Sequence, residues 1–467
     1  MTVLDLADIQ GNILRGYRAA NARHLAVNIP HGGNGPALLR DLLSSEPPCL
    51  STAEQWEDRG RPDHMLNLGL TWPGLRAMGV SDNALDAFPD AFKQGAATRA
   101  TAPDPDGLRG VGLGDVADSA PGTWAIGGPS TADVHMVLSL FSDERHRAAR
   151  EPLSAALRER LAHHGLTEVW SADADALPGG RVHFGYRDGI AQPRIEGAPG
   201  RQPADMQPSS PAGDFLLGAG HVNSYGGNHI GAIPAALGDN ATYAAFRVLA
   251  QDCRGFEELL DVWATRYSVD REWLAAKLMG RWRSGSSLMT HPDRPDPVPS
   301  DAELNGFDYA PSAQTPMYID DIDGVRCPVG SHVRRLNPRS SPSMGVRGTR
   351  RLLRRGMPYG APYDPRHPAD GIERGLIGLF VCGDLELQYE FVLRVWANQD
   401  LGAPGLRGTR EPMIGAQPTT GGLFRVPVAR RTEPLLLTGL PTLTRTRGSV
   451  YCLMPGLGAI RTLAAAA

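Results

Sequence analysis

The sequence predicts an α+β protein built from two ferredoxin-like (split βαβ) modules with antiparallel sheets. Three observations predict it: the first 200 residues run strand, helix, strand, strand, helix, strand; a Gly- and Pro-rich stretch follows; and the C-terminal third runs through strands and helices again. A chain of 467 residues is also long for a single hydrophobic core.

RHLAVNIP (Arg23–Pro30) alternates apolar and polar residues as a strand does, and a short helix is expected at Pro36–Leu43. LNLGLTW (Leu66–Trp72) reads as a second strand, and PGLRAMG as a helical turn ended by Gly79. From Asp82 to Gly122 the Gly, Pro, Ala and Asp content predicts a long surface excursion. ADVHMVLSLFS (Ala132–Ser142) is the clearest strand of this half, and Asp143–Gly165 the clearest helix. LTEVWSADADAL and VHFGYRDG return the chain in extended form.

Residues 198–240, again rich in Gly and Pro, predict an interdomain connection. Between Tyr243 and Leu278 the recurrence of Phe246, Leu249, Phe256, Leu259, Leu260 and Trp263 predicts mostly helix, and a loop of Pro, Asp and Ser leads to 325. TRRLLRRG (Thr349–Gly356) and RGLIGLFVCG (Arg374–Gly383) read as strands, Leu385–Asn398 as a helix. SVYCLMPG followed by LGAIRTLAA makes a last strand and helix. The expected division is an N-terminal module over 1–200, a connection with a helical insertion over 201–325, and a C-terminal module over 326–467.

Hydrophobic residues make up 41% and charged residues 21%, as in a soluble globular protein. The 47 basic and 51 acidic residues leave a net charge of −4, which argues against a nucleic-acid binder and makes the basic clusters at 334–339 and 347–355 stand out. Five cysteines, Cys49, Cys253, Cys327, Cys382 and Cys452, are odd in number and widely spaced with no CxxC pair, so reduced thiols of an intracellular protein are expected. The N-terminal MTVLDLADIQGNIL carries no basic region followed by an apolar core. Nor does any stretch reach the length of about 20 apolar residues that a bilayer requires, so a cytoplasmic protein without a membrane partner is expected. The terminal RTLAAAA reads as a frayed helix end.

Three segments carry residues of chemical interest. GSHVRRLNPR (Gly330–Arg339) holds His332, and a neutral imidazole is a common iron ligand, while Arg334, Arg335 and Arg339 offer fixed charge to the carboxylates of a bound macrocycle. A histidine after Gly-Ser also reads as a loop or helix-cap residue. FGYRDGIAQPRIEG (Phe184–Gly197) contains Asp188-Gly189, either an ordinary turn or a placed acid. In TRRLLRRGMPYG (Thr349–Gly360), Arg354 and Arg355 cannot both face one side of a strand.

These segments resemble a known family. DIQGNILRGY (Asp8–Tyr17), GYRDG (Gly185–Gly189), LMGRWRSGSSL (Leu278–Leu288), GSHVRRLNPR, LELQYEFVLRVWANQ (Leu385–Gln399) and EPMIG (Glu411–Gly415) are similar, in order and nearly end to end, to blocks of the dye-decolourising peroxidases, a haem peroxidase family. The resemblance implies a fold of the dimeric α+β barrel type, one haem b per chain, hydrogen peroxide as oxidant, and one-electron oxidation of organic molecules such as dyes and phenols. It implies that His332 is the axial iron ligand, that Arg334 and Arg339 hold the haem carboxylates while Arg335 points away, and that Asp188 shuttles a proton. Arg354, rather than Arg355, then stabilises developing charge.

Glu411 is a candidate acceptor for the second ring nitrogen of His332, a surface glutamate being the simpler reading. Tyr359 and Trp396 stand where some members relay electrons, although a Trp at helical spacing with Phe391 and Val392 equally suits a core. One departure is Gly378, where a larger apolar residue is expected, which implies a roomier pocket. The other readings are a haem-binding or haem-transfer protein, or another haem redox enzyme on the same scaffold, with incidental peroxidase activity; oligomeric state is left open.

Overall fold

Ten strands organise the chain in a computed structural model that describes residues 3–465, apart from 45, 57–59, 102–111, 200–206, 219, 226–232, 312–318, 340–349 and 404. They are β1 (Asn21–Asn28), β2 (His64–Leu70), β3 (Met136–Ser142), β4 (Thr167–Asp175), β5 (Thr242–Gln251), β6 (Leu353–Tyr359), β7 (Gly375–Cys382), β8 (Gly422–Val426), β9 (Leu435–Leu440) and β10 (Thr444–Met454). Eight of them form one antiparallel sheet in the order β4-β1-β3-β2-β10-β5-β7-β6, and β8 with β9 forms a separate ribbon.

That order is one pattern used twice. β4-β1-β3-β2 is the fourth-first-third-second arrangement of a split βαβ unit, and β10-β5-β7-β6 repeats it. The halves meet where β2 pairs with β10 at Leu70 and Leu453, and the outer strands β4 and β6 come alongside each other, so the sheet curls toward a barrel. Along β5, Ala244, Phe246 and Val248 point inward and share an apolar cluster with Ala26 and Val137 of the first half. Tyr243 and Ala245 point outward into a second cluster beneath helices. Phe246 fastens the halves together, its ring centroid lying 5.5 Å from that of His24 and 5.9 Å from that of Trp170.

This burial of both faces explains one correction. Residues 243–251 are strand, and only Cys253–Tyr267 and Arg271–Met279 are helix. A strand covered on both sides is apolar almost continuously, which hides its period of two. β5 falls within 201–325, and in the sheet it is the first strand of the second four-strand run.

The stretch from 82 to 122 is likewise no surface excursion where it is described. Helices Asp82–Asp86 and Asp90–Thr101 place Leu85, Phe88, Phe92 and Ala96 in the core, with Phe92 against Tyr243 of β5 at 5.3 Å. Pro89 and Gly95 diluted a spacing that is helical; 102–111 lie outside the described residues.

In the expected connection, 200–206, 219 and 226–232 lie outside the described residues, while Phe215, Leu216 and Leu217 are buried, so this part packs rather than spaces. VHFGYRDG forms turns, with Gly185 at φ 85° and Gly189 at φ 74°, instead of a strand. The ribbon of β8 and β9 was not foreseen. Thr349, Ala466 and Ala467 lie outside the described residues. Helices Gly35–Leu43, Arg150–His163 and Leu457–Ala465 match the expectation, the short helices Gly11–Leu14, Ala235–Gly238 and Asp301–Asn305 were not foreseen, and the run over 385–397 is wound as π-helix. Among the described residues no helix is long and apolar enough to cross a membrane.

His24 is buried at the seam of the two halves, its Nδ1 2.9 Å from Ser139 Oγ and its Nε2 without a partner. Burial pushes its pKa down to about 4, the Asp173 charge opposing. The unfolded chain binds that proton near pH 6.5, so His24 contributes stability above pH 6.5 that is lost as the pH falls to about 4. His24→Leu is expected to flatten this acid loss by ~3 kcal/mol, at about 1.4 kcal/mol per pH unit. Urea denaturation midpoints between pH 4 and pH 7 check it, and an unchanged slope in the variant would contradict it.

Candidate functional site

Strand register sets three rows of residues side by side on the outward face of the second half-sheet. Ala245, Phe380 and Arg354 form one row, Arg247, Gly378 and Gly356 the next, and Leu249, Leu376 and Pro358 the third. Parts of the segments 186–194, 332–339, 389–393 and 413–416 face these rows across a mostly apolar cavity partly open to solvent. Of the residues singled out by sequence, Asp188, His332, Arg339, Arg354, Arg355 and Gly378 border it; Arg334, Arg335, Tyr359, Trp396 and Glu411 do not.

The period of two separates the paired arginines. Arg355 turns to the other face, where it donates to the carbonyls of Asn12 at 2.6 Å and Ile13 at 2.8 Å. Burial, with the neighbouring Arg354 charge, pushes its pKa down to about 10, Tyr17 opposing. Arg354 keeps its side chain in the cavity with a single long contact, 3.4 Å from Nη2 to Ala191 O.

The Asp188 loop is pinned to the same strand. The Gln192 amide donates to Arg354 O and accepts from Arg354 N, both at 3.0 Å, as an added strand would. Asp188 N donates to Gly180 O at 2.9 Å, and Gly189 takes the positive φ that closes the turn. Asp188 and Arg354 are thereby brought to one wall region by backbone bonding.

Gly378 is directly paired with Gly356, so the sheet surface between the Arg354 and Pro358 rows is bare. A Cβ at 378 would lie 2.9 Å from Gly356 Cα; close strand contact, as well as space, requires glycine there.

His332 opens a short helix, His332–Leu336, that is anchored on three sides. Ser331 Oγ donates to Lys277 O at 2.7 Å. Arg335 is fully buried and holds Trp396 O, Gln399 O and Thr409, which ties this turn to the run over 385–397 and to the approach to Glu411. Its side chain is therefore a clamp turned away from the cavity.

Glu411 is wholly buried, not a surface residue. Its Oε1 lies 2.9 Å from His332 Nδ1, and the amides of Met413 and Ile414 donate to the same carboxylate. Burial would raise its pKa, but the interaction with the His332 ring and the two amides outweigh that and hold it below the usual range. An ionised acceptor places the proton on Nδ1 of the imidazole, which leaves the Nε2 lone pair for the cavity.

Arg334 is a correction. Its buried guanidinium pairs with Asp321 at 3.0 Å, bonds Cys327 O, and stacks 4.6 Å over the Tyr309 ring, so it cannot reach a bound carboxylate. Arg339 does line the cavity, bonded to Asn305 and stacked 3.8 Å over Phe307.

Sequence reasoning missed Arg350. It lines the same cavity between the rings of Tyr225 and Phe391, and its buried Nε and Nη1 have no partner. Its only sequence signal was the basic run of which it is part. Gln192 and Arg247 were also missed: Gln192 lies in the Asp188 segment but an amide there carries no signal of its own, and nothing in the sequence around Arg247 marks it.

Trp396 is sealed among Val329, Val395 and Leu406, with its Nε1 unpartnered. Tyr359 is half-buried on β6 and donates to Glu373 at 3.1 Å. Among the described residues no three His, Cys, Asp or Glu side chains converge to hold a bare metal ion. A lone histidine at an apolar cavity with cationic edges suits a metal that brings its own equatorial ligands.

No family model matches the chain. It is 25% identical to dye-decolorizing peroxidase msp1 of Mycetinis scorodonius, over 98% of this chain and 88% of that protein. It is 28% identical to the multifunctional dye peroxidase DyP2 of an Amycolatopsis species, over 85% of this chain and 82% of that one. Among solved structures, that of a decolorizing peroxidase from Auricularia auricula-judae superposes with a TM-score of 0.79 at 24% identity, covering 99% of this chain and all of that one. A dye-decolorizing peroxidase complexed with 2,6-dimethoxyphenol gives 0.79 at 23% identity with the same coverage.

The two adjacent arginines of β6 are expected to behave oppositely. Arg355→Leu strands two buried carbonyls and should cost about 1–3 kcal/mol of stability, whereas Arg354→Leu should cost under about 0.5 kcal/mol. Thermal and urea unfolding of both variants checks this; equal losses would contradict the facing of β6.

Proposed function

We propose that this chain, which belongs to the dye-decolourising peroxidase family, binds one haem b in the cavity with His332 as axial ligand, reducing hydrogen peroxide and oxidising organic molecules one electron at a time. The observation that carries the reading is the His332–Glu411 pair at a cavity that also presents Asp188 and Arg354. The residues suit the group: apolar walls for a macrocycle, an imidazole whose Nε2 is left free, and Arg339 and Arg350 in the lining, the latter with unpartnered nitrogens, for two carboxylates. Bound there, haem supplies an iron that takes up peroxide and holds the oxidising equivalents for later one-electron steps.

The chain's own residues do the rest. The Asp188 carboxylate takes a proton from the near oxygen of peroxide and returns it to the departing oxygen. The Arg354 guanidinium, fixed beside that loop, stabilises the negative charge that develops as the O–O bond breaks. Glu411 keeps the proton on His332 Nδ1 and makes Nε2 a stronger donor. Tyr359 is accessible enough to pass electrons from bulky substrates; Trp396 has no surface to meet them. A haem carrier would have no use for an acid and a cation both presented to the cavity. Five unpaired cysteines, four of them buried, suit the reducing cytoplasm.

The test is the visible spectrum of the haem-loaded protein before and after one equivalent of hydrogen peroxide. A ferric, histidine-ligated spectrum that changes within milliseconds and is restored by a reducing dye is expected. Asp188→Ala or Arg354→Leu should slow the peroxide step about 10²–10⁴-fold with haem retained. His332→Ala should alter the ligation itself. A peroxide reaction that survives the Asp188 and Arg354 substitutions at full rate would overturn the reading.

A further inference from the structure

We propose that Tyr451 is a buried redox-active tyrosine that stores an oxidising equivalent drawn from the cavity through Tyr389, with Glu390 holding its phenolic proton. The proposal rests on the haem peroxidase reading, which supplies the oxidant.

Register lays the path out. Arg354, Phe380, Ala245 and Tyr451 stand in one row across β6, β7, β5 and β10. The first two line the cavity; Tyr451, two strands further on, is buried. Between them Ala245 contributes only a methyl group, and Tyr389 spans that gap from the overlying helical run. Its ring centroid lies 5.9 Å from that of Phe380 and 5.8 Å from that of Tyr451, the latter at an interplanar angle of 88°. Tyr389 itself lines the cavity, so aromatic contact runs unbroken from the cavity wall to Tyr451.

Core packing alone would explain the burial of these rings but not their polar ends. The Tyr389 hydroxyl accepts from Arg247 Nη1 at 2.9 Å, and that guanidinium is paired with the buried Asp115. The Tyr451 hydroxyl donates to Glu390 Oε1 at 3.1 Å. Glu390 is wholly buried and fixed by Arg99 and by Arg394. The two phenols therefore face charges of opposite sign. A cation on the phenol oxygen makes electron removal from Tyr389 harder, whereas a carboxylate offers the Tyr451 proton a place to go as its electron leaves. The oxidising equivalent passes over Tyr389 and settles on Tyr451.

The step balances. One electron leaves Tyr451, travels by way of Tyr389 to the oxidised cofactor in the cavity, and reduces it by one equivalent. The Tyr451 O–H bond breaks, the proton forms an O–H bond on Glu390 Oε1, and a neutral phenoxyl radical remains. An electron from an organic reductant, returning by the same route, restores the phenol and the carboxylate. Tyr451 and Glu390 are both shut off from solvent, so the pair stores the equivalent and does not deliver it to a bulky substrate. When reductant is scarce, this spares the oxidisable cavity residues, Met413 among them.

The experiment is freeze-quenched electron paramagnetic resonance of the haem-loaded protein after one equivalent of hydrogen peroxide without reductant, the visible spectrum being recorded on the same samples. A tyrosyl signal that narrows on ring deuteration of tyrosine is expected, lost in Tyr451→Phe and slower to appear in Tyr389→Phe. Both variants keep their rings, and unfolding midpoints confirm that packing is retained. The same tyrosyl signal in Tyr451→Phe, or no tyrosyl signal in the wild type despite a full change in the visible spectrum, would overturn the proposal alone. No change of the visible spectrum with peroxide would bring down the peroxidase reading and this proposal with it.

Discussion

A carboxylate removed from water must be compensated, and much of the site follows from how this chain compensates Glu411. Its charge is balanced by two backbone amides and by an imidazole that donates from Nδ1. His332 stands 79 residues from Glu411, so the interaction exists only when the turn at His332 and the EPMIG segment are locked together. Arg335 does the locking, by filling its donors with carbonyls of the helical run and of Thr409. The orientation of one ring nitrogen thus depends on a buried arginine that never meets the cavity.

The sheet supplies the remainder of the constraint. Its inward face is closed by the two halves packing on each other through Phe246, His24 and Trp170, which leaves the outward face of the second half to carry chemistry. Hydrogen-bond register then fixes which side chains are neighbours. Arg354 stands beside Phe380, and Gly378 beside Gly356, because the strands pair there and nowhere else. The Gln192 amide extends this register to the Asp188 loop, so acid and cation derive their relative position from backbone bonding.

Much of this was legible in the sequence where a local period reports a single face. The strand-helix order of the first half, the alternation that parts Arg354 from Arg355, and the helical run after β7 are of that kind. β5 was misread because both its faces are covered, and the helices over 82–101 because Pro89 and Gly95 interrupt their spacing. The site was legible by residue type and motif, and less so by partner. Nothing local to Arg334 shows that Asp321 consumes it, nor does anything local to Arg350 show that it keeps open donors at the cavity. The burial of Glu411 was equally invisible, since its compensation comes from a distant histidine.

Glu411 governs the electron donation of His332. The most direct measurement is the iron–histidine stretching frequency, by resonance Raman spectroscopy, of the haem-loaded ferrous protein and of Glu411→Gln. A band at high frequency in the wild type that drops in the variant, with histidine ligation kept, is the expected result. A frequency that does not move when the carboxylate is lost would contradict the account.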